Sequence, residues 1–311
     1  MVVRIVVMGA GGTGGYFGAK LARAGEEVTF VARGAHLAAI RASGLRVRSA
    51  IEGEWTVKVQ AVDRLDGLPP ADLVLFCVKS FDTETAAAVI RPVVGGDTGV
   101  LSIQNGVDNE DKLARILGPG HVLGGVARVF STIEAPGVIA HSLLGRIVFG
   151  EMDGRDTARA RDFLAGCLRA AIPAEIVPRI LGALWQKYVL IVAQAGMTAL
   201  TRCPAGVIRR IPETRRLCRL LVEEMARLAE AAGAGLEGDV VEAVMGSLDA
   251  VGANAYSSLH HDLTRGRRLE LEALHGHAVR LGERHGIATP TLFAVYAALR
   301  PHLDGRPEGA T

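Results

Sequence analysis

The sequence predicts an α/β protein in two parts. A Rossmann-type domain with a doubly wound sheet spans residues 1–178, and an all-α domain spans residues 179–311. Three observations carry this. Short apolar runs alternate with helical spacing through the first hundred residues, the signature of strands joined by crossover helices. The first run, RIVVM, leads straight into Gly9-Ala10-Gly11-Gly12-Thr13-Gly14. Beyond Pro178 nearly every segment has helical spacing. A chain of 311 residues is also long for a single core.

The elements follow in order. RIVVMG is a strand, and TGGYFGAKLARAG is a helix ending at Gly25, a natural C-cap. EVTFVAR is the second strand and HLAAIRASG the second helix. LRVRSA and WTVKVQ alternate in polarity, as an antiparallel pair does. DLVLFCVKS and TGVLSIQNG are continuous apolar runs, as strands covered on both faces should be. NEDKLARILG is a helix. From His121 to Gly150 the pattern is β-rich, with Pro136-Gly137 marking a turn. TARARDFLAGCLRAA is a helix, followed by a short strand near Ala174 to Val177. The later helices are the segment around ALWQKYVLIVAQAG, ETRRLCRLLVEEMARLAEAAG, DVVEAVMGSLDAV, LELEALHGHAVRLGERHG and TPTLFAVYAALRP. The chain closes in a polar tail, DGRPEGAT.

Composition narrows the function classes. The chain is 49% hydrophobic and 22% charged, an ordinary globular balance. A formal charge of +2 and 5% aromatic residues argue against nucleic acid or an anionic membrane as partner. The opening MVVRIVVM is too short before its glycines for a signal segment. The run around Lys187 is interrupted by Gln186, Lys187 and Gln194, so it reads as a buried helix rather than a membrane span. Cys77, Cys167, Cys203 and Cys218 form no CxxC pair. Free thiols in a reducing cytoplasm are expected.

The glycine run matches GxGxxG in its proper context, after a strand and opening a helix. The first glycine permits the tight turn. The second lets a pyrophosphate approach the backbone, and the third lets helix and strand pack closely. Gly9, Ala10, Gly11, Gly12, Thr13 and Gly14 are therefore expected to bind a dinucleotide on the helix N-terminus. The second strand ends Val31-Ala32-Arg33, without the acidic residue that would bond a ribose 2′-hydroxyl. An arginine there suits a 2′-phosphate, so NADP(H) is the expected cofactor. Lys79 and Gln104-Asn105-Gly106 occupy the carboxyl ends of two further strands, where open α/β sheets bind ligands.

Lys187 is the leading candidate for proton transfer. From Ile180 to Thr201 there is no other Asp, Glu, Lys or Arg. An apolar site lowers a lysine's pKa and suits it to protonate a carbonyl oxygen. The plain alternative is a lysine whose stem covers apolar surface while its head reaches water. Glu270 opens a predicted helix, where a carboxylate is electrostatically favoured. Glu272 and His275 form a single ExxH pair with no second copy, so no metal is expected.

GAGGTGG, Arg33, CVKS at Lys79, QNGVDNE at Asn105, ALWQK at Lys187 and SSLHHDLTRGRRLELE with Glu270 occur in a definite order. In these motifs the chain resembles the ketopantoate reductase (2-dehydropantoate 2-reductase) family over nearly its whole length. The resemblance implies NADPH-dependent reduction of a 2-keto acid, ketopantoate to pantoate, on the route to pantothenate. It implies Lys187 as general acid, Glu270 as the carboxylate near that lysine or the substrate hydroxyl, and Ser258 on the substrate carboxylate. It implies Lys79 and Asn105 near the cofactor and the reacting carbonyl. The familiar members carry asparagines four and eight positions after the lysine, where this chain has Ile191 and Ala195. Another lies three before the serine, where this chain has Ala255. A less hydroxylated keto or hydroxy acid is therefore the alternative substrate. A dinucleotide-binding sensor without catalysis is the alternative of another class. The apolar helical half leaves room for a homodimer.

Overall fold

The computed structural model describes residues 2–307. Of the polar tail DGRPEGAT, residues 308–311 lie outside the described ones. The chain separates into two compact units: residues 1–104 with 108–180, and residues 105–107 with 181–311. The division falls two residues beyond Pro178, and Asn105–Val107 groups with the helical unit.

The first unit is built on one ten-stranded sheet. Its strands are β1 (Arg4–Met8), β2 (Glu27–Val31), β3 (Leu45–Ser49), β4 (Gly53–Val57), β5 (Gln60–Val62), β6 (Leu73–Phe76), β7 (Gly99–Ser102), β8 (Val122–Ala135), β9 (Val138–Glu151) and β10 (Ala174–Ile176). The spatial order is β4-β3-β9-β8-β7-β6-β1-β2-β5, with β10 beside β9. From β5 to β8 every neighbouring pair is parallel. The period of two along each strand sends successive side chains to opposite faces. Ile5, Val7, Leu73 and Leu75 join one apolar core with Tyr16, Phe17, Leu37 and Phe163. Those last four come from α1 (Gly12–Arg23), α2 (Gly34–Ser43) and α5 (Ala158–Arg169). Val6, Met8, Val74 and Phe76 join the other core with Ala86, Ile90 and Leu113. These belong to α3 (Thr83–Ile90) and α4 (Asn109–Leu117). The sheet is doubly wound because its buried strands must be covered on both faces.

Beyond β8 the sheet becomes mixed. β8 and β9 form a long antiparallel hairpin turning at Pro136-Gly137, and Gly137 takes φ +75° there. β3 and β4 are antiparallel partners, as their alternation predicts. WTVKVQ, read as one strand, divides between β4 and β5, and β5 pairs in parallel with β2. The β3–β4 hairpin adds in parallel to β9, far from its sequence neighbour β2.

The second unit is helical. It contains α6 (Ile180–Thr201), α7 (Ala205–Arg210), α8 (Pro212–Ala231), α9 (Val240–Ala250), α10 (Ser258–Thr264), α11 (His277–His285) and α12 (Pro290–Leu299). α6 is long and apolar enough to cross a membrane, but 56% of its most apolar window is buried within the protein. Trp185, Tyr188, Val189, Val192, Ala193 and Met197 place it at the centre of the unit's core. Glu224 of α8 is buried because its carboxylate accepts the Thr291 and Leu292 N–H groups at the start of α12. It satisfies two donors that a helix N-terminus leaves open.

One long helical segment is interrupted. LELEALHGHAVRLGERHG begins with a π-helical turn, Glu272–Gly276, directly before α11. Glu270 lies two residues before it, with Leu271 between. A π turn widens the helix and changes which side chains share a face. Glu272 points outward to Tyr296, Arg280 and Arg300. His275 points inward and is fully buried.

Candidate active site

The dinucleotide-type loop is shaped by what surrounds each glycine. Gly9 follows β1 at φ +103°, a conformation that favours glycine. A Cβ on Gly9 would sit 3.0 Å from the Cys77 and Val78 backbone. A Cβ on Gly14 would lie 2.2 Å from the Gly9 carbonyl oxygen, so the third glycine is needed for close packing of α1 on the strand. Gly11, the N-cap of α1, has nothing within 4 Å of the same construction. The second glycine of the motif is thus the one with open space before it. Gly12 has a role that the motif does not announce. Its Cβ would fall 2.2 Å from the Ser131 carbonyl, because the β8–β9 hairpin crosses over the start of α1. Gly15 packs against Ile139, and the Tyr16 ring stacks on His141 at 4.0 Å from the same hairpin.

Parallel neighbours put the ends of β2, β1, β6 and β7 along one edge. Arg33 follows β2, is exposed and stands at the N-cap of α2. Lys79 is half-buried and stands before the short turn Ser80–Asp82 that follows β6. Gln104, after β7, is 5% exposed. Its amide donates to the Val78 carbonyl and to the Thr83 hydroxyl, each at 2.9 Å, and so holds the turn that carries Lys79. Asn105, the next residue, is half-buried and belongs to the helical unit. Burial drives the Cys77 thiol well above its ordinary pKa, so this cysteine in CVKS stays protonated.

In the helical unit Lys187 is half-buried on α6 and Glu270 is 6% exposed. Two contacts fix α6 against the segment that follows Glu270. The Tyr188 hydroxyl donates to the Leu274 carbonyl at 2.5 Å and to the Ala273 carbonyl at 3.3 Å, within the π turn. Gly196 leaves room for His275, whose Nε2 would lie 2.6 Å from a Cβ there. Burial pushes the His275 imidazole down to about 4, against a smaller upward pull from the Val192 backbone, so it is neutral at pH 7. Ser257, beside the expected Ser258, caps α10 through the His260 N–H and bonds the Thr198 hydroxyl of α6 at 2.7 Å. Ser258 is exposed at the first position of α10. Ile191 and Ala195 lie one and two turns beyond Lys187 on the same stripe of α6. Ala195 is buried and Ile191 packs against the helical core.

Sequence reasoning passed over Gly12's hairpin contact, Gln104's bonds, Tyr188 and His36. The His36 ring bonds the Ala10 carbonyl at 2.9 Å and the Gly137 N–H at 3.0 Å. Only a histidine shortly after the expected phosphate arginine hinted at it. Tyr188→Phe should remove a buried hydrogen bond to the Leu274 carbonyl, which keeps the His277 N–H. A loss of about 0.5–1.5 kcal/mol is expected in urea denaturation. An unchanged midpoint would show that the bond does not hold the π turn.

A glycine loop at the head of a parallel sheet, followed by a helical unit with a core lysine and a buried glutamate, defines a dinucleotide-dependent oxidoreductase architecture. Family comparison makes this specific. Residues 5–154 match the model described as "Ketopantoate reductase PanE/ApbA", and residues 179–302 match that of its C-terminal domain. The chain belongs to the ketopantoate reductase family. It is 36% identical to a 2-dehydropantoate 2-reductase of Archaeoglobus fulgidus over 92% of this chain and 93% of that one. A Mesorhizobium japonicum enzyme of the same name is 31% identical over 96% and 97%. The crystal structure of a PanE/ApbA family ketopantoate reductase from Ralstonia eutropha superposes with a TM-score of 0.88 at 36% identity, covering 96% of this chain and 97% of that one. The protein is accordingly an oxidoreductase of a pyridine-nucleotide-dependent family whose chemistry is 2-keto acid reduction.

Proposed function

We propose that the protein reduces ketopantoate to pantoate with NADPH, and that Lys187 supplies the proton to the carbonyl oxygen. The observation that carries the acid assignment is the setting of Lys187. It is half-buried on a core helix whose other residues carry no charge. Its helix is clamped by Tyr188 to the segment that begins at Glu270. A bound reduced nicotinamide supplies the hydride. The residues present fit such a group, since Gly11 faces open space and Gly9 and Gly14 bring the loop close to the strand. Gly9 to Gly14, with Lys79 and Asn105, would hold it. Arg33 would hold the 2′-phosphate, and no acidic residue stands at the end of β2 to favour a free 2′-hydroxyl. Glu270 would orient Lys187 or the substrate hydroxyl, and Ser258 would bond the substrate carboxylate. The same reading makes this a cytoplasmic metabolic enzyme and leaves room for a homodimer.

A second reading rests on Ile191 and Ala195. Two apolar side chains on the Lys187 stripe favour a less hydroxylated 2-keto acid, because a site built to bond a hydroxyl discriminates steeply for it. NADPH oxidation with ketopantoate and with its analogue lacking the hydroxyl separates the two. A kcat/KM of about 10⁴ M⁻¹s⁻¹ or above for ketopantoate, exceeding the analogue, supports the first. The opposite preference supports the second, and turnover of neither overturns both. Arg33→Ser should raise the NADPH dissociation constant about tenfold or more and leave that of NADH nearly unchanged, by fluorescence titration. Equal loss for both cofactors would remove Arg33 from 2′-phosphate recognition.

A further inference from the structure

We infer that His36 is a positioning residue for the cofactor loop, which locks the Ala10–Gly11 peptide so that the Gly11 N–H faces the pyrophosphate. The inference deepens the reading of Gly9 to Gly14 as a dinucleotide loop and rests on it. His36 lies on α2, three residues after Arg33. Its two ring nitrogens meet backbone groups from two other segments. Nδ1 accepts the Gly137 N–H at 3.0 Å, and Nε2 meets the Ala10 carbonyl oxygen at 2.9 Å. An N–H pointing at Nδ1 leaves that nitrogen deprotonated, so the proton resides on Nε2 and is donated to Ala10. Burial keeps the imidazole below its ordinary pKa and the ring neutral at pH 7, as these two bonds require.

The consequence lies on the far side of the Ala10–Gly11 peptide. A trans peptide points its C=O and its N–H in opposite directions. Holding the Ala10 carbonyl toward His36 therefore turns the Gly11 N–H away from His36. A side chain on Gly11 would meet no atom within 4 Å, so the loop has open space at this residue for a ligand. A peptide followed by glycine flips readily, because glycine tolerates both signs of φ. The flipped form would present a carbonyl oxygen, not an N–H, to an incoming pyrophosphate. His36 opposes that flip, and the Gly137 bond anchors His36 to the turn of the β8–β9 hairpin, whose strand β8 packs on Gly12.

The test uses the full chain with His36→Leu and His36→Gln, since glutamine keeps one donor and one acceptor. NADPH and NADH binding are measured by calorimetry, and amide exchange is followed in the cofactor-free protein. His36→Leu is expected to raise the NADPH dissociation constant about tenfold or more. It should speed exchange at Gly137, whose N–H donates to Nδ1, with kcat at saturating NADPH within about twofold of wild type. His36→Gln should restore affinity to within about threefold. If His36→Leu does not fold, His36→Met takes its place. NADPH affinity within about twofold of wild type in the apolar variant overturns the inference, as does equal loss in the glutamine and apolar variants. A wild-type protein that binds neither nucleotide overturns the cofactor reading itself, and the inference with it.

Discussion

Lys187→Ala is expected to lower kcat by about 10²–10⁴, the usual range for a lost general acid. The NADPH dissociation constant should stay within about threefold of wild type. Lys187 belongs to the helical unit, whereas the glycine loop, Arg33 and Lys79 belong to the sheet unit. Cofactor affinity and proton delivery should therefore separate in the kinetics. Steady-state turnover with the best keto acid, paired with fluorescence titration of NADPH, checks both. Glu270→Gln should reduce kcat as well, since it removes the charge of a buried carboxylate in the same unit. Turnover unaffected by Lys187→Ala would leave the lysine as a stem covering apolar surface.

The second large effect concerns stability and pH. Glu110 occupies the first turn of α4 and is 3% exposed. Burial, helped by Asp108 and Asp111, pushes the group up to about 7, against a smaller downward pull from the backbone at the start of α4. The sign follows from proton binding. The unfolded chain releases this proton near 4.5, while the folded chain keeps it until about 7. The stabilising contribution is full below pH 4.5 and is lost as pH rises through 7. A shift of this size corresponds to about 3 kcal/mol between those limits. Urea denaturation at pH 4.5 and pH 8 should show wild type losing about that much relative to Glu110→Gln. Parallel changes in the two proteins would refute the assignment.

Several site features are written in local sequence. The glycine loop is legible because its spacing answers local demands: a positive φ at Gly9 and close packing at Gly14. Arg33 and Lys79 are legible because each directly follows an apolar run that can only be a buried strand. Lys187 stands out because a single charge in 22 residues of core helix breaks the pattern. Other features are not. Glu272 and His275 look like neighbours on one face, yet a π turn sends one outward and the other into the core. His36 is an ordinary polar residue of a short helix until the β8–β9 turn arrives beside it, a hundred residues later in the chain.

Although the sequence joined β4 to β5 and passed over α3, α7 and α10, it determined by itself the alternation of strands and helices in the first part, the helical character of the second, the glycine loop and the lysine helix. Each of these depends on periodicity, glycine conformation or chain continuity, which act over a few residues. Only the tertiary structure decided that β3 joins β9 rather than β2, the strand before it in sequence. It alone seated the long hairpin on Gly12, buried Glu110 away from water and gave His36 its two backbone partners. These outcomes depend on which distant surfaces exclude water together and which buried donors and acceptors find each other. Neither is encoded in the spacing of neighbouring residues.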